Sequence, residues 1–85
     1  MPQVKTWAKP ISFLSPQTGD YRTIQSANEA IIVLQGAHWP VQSGKQLRDA
    51  KRICLDVMDG RRPPVEARRA FIAAAVEADV FVKQK

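Results

Sequence analysis

Between Ala67 and Ala78 the apolar positions 67, 70, 71, 74, 75 and 78 recur at i, i+3, i+4, i+7, i+8 and i+11. That spacing describes one face of an α-helix and is the strongest periodic signal in the chain. Every one of these positions except Phe71 is alanine, so whatever packs on this face must come close. A second helix or a sheet is therefore expected against it. Pro64 suits the first helical position, because its missing N–H would be unpaired there in any case. Arg61-Arg62-Pro63-Pro64 is the connection that leads in.

Two further helices precede this one. Ser26-Ala27-Asn28-Glu29 has the form of a capping box, in which the Ser26 hydroxyl accepts from the Glu29 N–H and the Glu29 carboxylate returns to the Ser26 N–H. Ala27, Ala30, Ile31 and Leu34 follow at helical spacing, and Ile32 and Val33 extend the apolar surface to a second face, which predicts a central helix. It is expected to stop near Ala37, ahead of Trp39-Pro40. Ser43-Gly44-Lys45-Gln46 offers a second box. Leu47, Ala50, Cys54, Val57 and Met58 form the next apolar stripe, with Ile53 beside it, and Gly60 stands where a left-handed helix end is expected.

The two ends of the chain read as strands. Trp7, Ile11 and Phe13 fall on alternate positions, and Pro10 argues for an edge or a strand start because it cannot donate to a ladder. The stretch from Ser15 to Asp20 has turn chemistry, with Pro16 presetting φ and Gly19 accepting φ > 0. Tyr21-Arg22-Thr23-Ile24 is the returning strand, and Val80-Phe81-Val82 is a short last strand able to join the hairpin. The expected fold is α+β: a small antiparallel sheet, made of an N-terminal hairpin plus a C-terminal strand, packed against three helices in the order β-β-α-α-α-β.

With 85 residues the chain is read as a single domain over 1–85, its ordered core spanning about 6–83. A hydrophobic content of 45% is enough for folding. One cysteine excludes an internal disulfide, and no stretch approaches the length of a membrane span. The start carries no apolar leader, so a cytoplasmic location and no membrane partner are expected. A formal net charge of +5 permits attraction to nucleic acid and serves solubility equally.

Trp39-Pro40, Gly44, Ala50, Cys54, Gly60, Ala67-Arg68, Ala70-Phe71-Ile72, Ala74-Ala75 and Glu77-Ala78 together resemble the domain-of-unknown-function family 982, short stand-alone proteins of alphaproteobacteria. The likeness runs from Trp7 through Val82. It implies a compact bacterial domain and carries no mechanism. Asp79 stands where the resemblance leads one to expect glycine at the end of the last helix.

No catalytic, cofactor or metal constellation is legible. His38 is the only histidine and Cys54 the only thiol, and neither has the company that a base, a nucleophile or a metal site needs. His38 is read as closing the first helix and Cys54 as core. Trp39 is read as a core plug at the turn, while Trp7 packs on the sheet or contributes to an interface. Glu29 and Glu66 are accounted for as residues of helix first turns.

Two functional classes remain. The first is a non-enzymatic protein-interaction module that associates with a partner or with itself, using the extra apolar positions Ile32, Val33, Ile72 and Val76 and a free strand edge. The second is a nucleic-acid-associated protein holding phosphates with Arg61, Arg62, Arg68 and Arg69, joined by Lys45, Arg48 and Arg52. Arg68 and Arg69 lie early in their helix, where the macrodipole opposes them, so local stability does not account for them. Glu66 is placed to pair with Arg69 or to compete for the anion. An enzyme is the third and weakest reading.

Overall fold

The computed structural model describes residues 6–15, 18–36 and 39–84. Strand β1 spans Thr6–Leu14 and β2 spans Tyr21–Ser26, and they pair antiparallel with Ile11 opposite Ile24 and Leu14 opposite Tyr21. Their turn closes through Ser15 N–H to the Asp20 carbonyl at 2.9 Å, with Gly19 at φ +76°. Pro16 lies outside the described residues. Helix α1 covers Ala27–Gln35, α2 Lys45–Met58 and α3 Pro64–Glu77, and β3 is Val82–Gln84. β3 pairs antiparallel with β1, giving the sheet order β2-β1-β3 and the expected β-β-α-α-α-β sequence of elements.

β1 is thus the middle strand, and Pro10 sits in its interior instead of at an edge. The ladder tolerates this because the register with β2 slips between Thr6 and Ile11, an irregularity where no bond from residue 10 is required. Trp7, Ile11 and Phe13 of β1 and Ile24 of β2 are buried on one face of the sheet. On that face lie α1 and α3, and α2 packs across those two helices instead of on the sheet. The layers are sheet, then α1 with α3, then α2.

α3 is the central helix. Ala67, Phe71, Ala74 and Ala75 are all buried, and their small side chains admit β1 on one side and α2 on the other. Phe71 fills the middle, its ring centroid 5.7 Å from Phe13 and 5.6 Å from Trp39. Each such aromatic contact adds about 0.5–1.5 kcal/mol beyond area burial. Trp39 is therefore the core plug expected of it, and Trp7 is buried as well. α1 is not the central helix, since Ile32 remains 69% exposed while its Ala27, Ala30, Ile31 and Leu34 face inward. Met58 likewise leaves the α2 stripe for solvent.

Helix ends decide how the elements join. Ser26 caps α1, its Oγ accepting from Glu29 N–H at 3.2 Å, while the Glu29 carboxylate reaches Gln25 N–H at 3.4 Å, one residue before the expected partner. α1 ends at Gln35, with Gly36 as its cap, and His38 and Ala37 lie outside the described residues. The second expected box does not form: the N-cap of α2 is Gly44, and Ser43 makes no capping bond. Instead the Glu77 carboxylate, from the last turn of α3, accepts from Gln46 N–H at 3.0 Å and Leu47 N–H at 3.1 Å. Gly44 makes room for it. At φ +139° it holds a conformation that side chains resist, and a Cβ there would collide with the Glu77 carboxylate.

Both later helices close with a left-handed residue. After α2, Gly60 (φ +81°) donates to Val57 and Arg61 N–H donates to the Asp56 carbonyl at 2.8 Å, a Schellman closure. After α3 the same pair of bonds runs from Asp79 to Val76 and from Val80 to Ala75, with Asp79 at φ +59°. Val80 is buried as the apolar residue of that motif, so the last strand begins two residues later than the alternation Val80-Phe81-Val82 predicts.

Two substitutions should move stability in opposite directions. Glu77→Ala removes both long-range caps and should lower unfolding free energy by about 1–2 kcal/mol. Asp79→Gly relieves the left-handed aspartate and should raise it by up to about 1 kcal/mol. Urea titrations of both variants against the unaltered protein check the pair, with the slope against urea unchanged.

Candidate functional site

The seven basic positions singled out in the sequence do not form one site. Arg62 is held by two carboxylates, Asp56 at 3.0 Å and Glu66 at 2.7 Å, and these bonds, Glu66 foremost, push its pKa further above its ordinary value. Glu66 thereby takes Arg62 as its partner in place of Arg69. Arg68 is engaged as well, its Nε donating to the Lys9 carbonyl of β1 at 2.9 Å. Arg61 and Arg69 are exposed. Half of the arginine group is thus engaged in joining α2 to α3 and α3 to the sheet.

Lys45, Arg48 and Arg52 do share a face. They lie along the outer side of α2 at helical spacing, and Lys51, one turn on from Arg48, joins them. Arg48, Lys51 and Arg52 line a groove of about 490 Å³ that starts at Gln42 and Ser43 and runs past Leu47 to Leu55. Asp49 approaches Arg52 at 3.7 Å, a pair exposed enough to contribute little. Lys51 was legible as a fourth cation, since it completes the i, i+3 series from Lys45 and Arg48.

The four apolar positions proposed for self-association are divided. Ile32 and Val76 are 69% and 73% exposed on different helices. Val33 and Ile72 are partly buried and packed against the core, which leaves them less to offer a partner.

A different apolar surface stands on the sheet. Phe13 and Val82 face the helices, so Leu14, Tyr21 and Phe81 point the other way, with Leu14 on the middle strand flanked by the other two residues. Leu14 N–H donates to the Phe81 carbonyl at 2.9 Å, which fixes that neighbour in place. Tyr21 is 48% and Phe81 57% exposed, and their rings meet edge to face at 6.4 Å. The Lys83 ammonium rests 4.7 Å from the Tyr21 ring centroid, within cation–π range. Further along the same face Ser12 and Thr23 share a hydrogen bond of 3.0 Å. Sequence alternation marked Tyr21 and Phe81 as strand residues without showing that they face the same way.

Among the described residues no group of three or more histidine, cysteine, aspartate or glutamate side chains is placed to hold a metal ion. No helix among them is long and apolar enough to cross a membrane.

A family model described as a protein of unknown function, DUF982, matches residues 9–82, and the chain belongs to that family. No curated protein and no solved structure matches it.

Cys54 lies in the α2 core stripe with no exposed surface, and burial pushes its thiol up to about 11 from an ordinary 9.0. Between those values the unfolded chain has lost the proton and the native protein keeps it, so unfolding becomes easier as pH rises through that window. Stability should therefore be flat in this respect below about pH 9 and fall toward about pH 11, by at most ~1.4 kcal/mol per unit. Chemical denaturation at stepped pH checks this, with Cys54→Ala expected to flatten that portion of the curve.

Proposed function

We propose that the protein is a non-enzymatic protein-interaction module that associates with a second copy of itself through the outer face of its sheet. The observation that carries this is the exposed Tyr21–Phe81 pair, which meets across the middle strand at Leu14. Large aromatic side chains concentrate at the cores of protein interfaces, because they remove much area from water with few rotatable bonds. An antiparallel sheet with one solvated face ordinarily presents polar residues there, as Ser12 and Thr23 do at the other end of this one.

The placement of charge permits a second copy at this face. The protein carries a net charge of +5, so two copies repel unless they meet where little of that charge resides. Among the described residues the outer sheet face presents Lys83 as its one charged side chain, beside Ser12, Leu14, Tyr21, Thr23 and Phe81, and that ammonium already lies over the Tyr21 ring. Two such faces can stack with roughly aligned strands about 10 Å apart. A cytoplasmic setting in a bacterial cell is part of the same reading.

Sedimentation equilibrium over about 5–500 µM, a range that brackets weak to moderate dimers, tests the reading. The mass is expected to rise from 9.5 kDa toward twice that value, with little dependence on salt. Tyr21→Ser together with Phe81→Ser should hold it at the monomer value while leaving the fold intact, since both rings lie outside the core. A monomer at every concentration, or association lost in Ile32→Ser/Val76→Ser and kept in the sheet variant, would overturn the sheet interface.

A further inference from the structure

Helix α2 gathers cations along one groove. Arg48, Lys51 and Arg52 line it, with Lys45 one turn before Arg48, while Asp56 is tied to Arg62 and Asp49 approaches Arg52 at the exposed edge. No carboxylate lines the groove, and neither Arg48 nor Lys51 has an ionic partner among the described residues. Stability gives no reason for this arrangement. Cations in the first turns of a helix oppose its macrodipole, and dispersing the four would reduce their mutual repulsion.

We propose that this groove binds the sugar-phosphate backbone of a nucleic acid without reading its sequence. Four cations strung over the eight residues from Lys45 to Arg52 span roughly 10 Å along the helix axis. They therefore form a line of charge and do not converge on a point, which suits a linear polyanion better than one small anion. Arg48 and Arg52 can each grip a phosphate with two parallel N–H donors, and Lys51 adds a point charge between them. Leu55, half exposed on the groove wall, and the aliphatic stems of the cations give the sugars an apolar surface. The backbone N–H groups at the start of α2 take no part, because the Glu77 carboxylate occupies them. That carboxylate, at the Lys45 end, directs the strand toward Arg48, Lys51 and Arg52. The site is independent of the sheet face, and neither reading requires the other.

The test is fluorescence anisotropy of a labelled thymidylate oligonucleotide of about 20 residues, and of a duplex of equal length, at about 50 to 200 mM salt. The protein is expected to bind in the micromolar range at the low end, with log K falling against log salt at a slope of about −2 to −3 on single strands. Arg48→Ala and Arg52→Ala should each reduce that slope by about 0.7, and the double variant should bind at least about tenfold more weakly at low salt. Arg61→Ala/Arg69→Ala removes the same charge elsewhere and should change the slope less; melting curves confirm that both double variants fold. Absence of binding at low salt would overturn the proposal, as would equal effects of the two double variants. Displacement of the oligonucleotide by polyglutamate at equal charge would also overturn it, by making the groove a site for acidic protein segments.

Discussion

The alanine face of α3 is the constraint on which the rest of the structure depends. A helix placed between a sheet and another helix must approach both closely, and Ala67, Ala74 and Ala75 allow that where longer side chains would hold the layers apart. Phe71 supplies the bulk that the alanines omit, meeting Phe13 from the sheet and Trp39 from the turn after α1. Once α3 is in place, α1 lies beside it on the sheet and α2 closes over both. Among the described residues, the stack leaves the outer face of the sheet and the outer face of α2 without a neighbouring element. Both proposed surfaces follow from that layering.

The end of α3 ties these surfaces together. Glu77 reaches back to start α2, and two residues later Asp79 reverses the chain toward β3. The reversal buries Val80 against the core, and strand alternation then sends Phe81 outward beside Tyr21. A change at residues 77–79 thus reaches the α2 groove and the aromatic pair alike, through backbone geometry and without direct contact. Gly44 belongs to the same joint, since only a residue lacking a side chain leaves room for the Glu77 carboxylate.

Features set within a few residues were legible in the sequence. The Ser26 cap, the Gly60 helix end and the α3 periodicity each depend on neighbours in the chain, and each is present. Features set by distant partners were not. The Glu77 cap joins residues 31 apart, so Ser43 looked like the better candidate until the fold brought Glu77 to Gly44. Arg68 meets a carbonyl 59 residues away, which no local pattern announces. The strand Val80-Phe81-Val82 was misplaced because its alternation also suits a helix closure followed by a strand. Tyr21, Leu14 and Phe81 were each visible as strand residues, but which side of a sheet is covered is decided only when the helices dock. For the groove, helical spacing gave Lys45, Arg48 and Arg52 directly, whereas the loss of Arg62 and Arg68 to structural partners required the tertiary fold.

Isotope-filtered NMR on a mixture of labelled and unlabelled protein tests the central claim most directly, because it reads contacts between copies and excludes those within one. The outer sheet face as an interface predicts intermolecular contacts from the Tyr21 and Phe81 rings to Leu14, Thr23 and their own counterparts. A dimer whose intermolecular contacts fall on Ile32 and Val76, with the Tyr21 and Phe81 rings showing only contacts within their own chain, would contradict it.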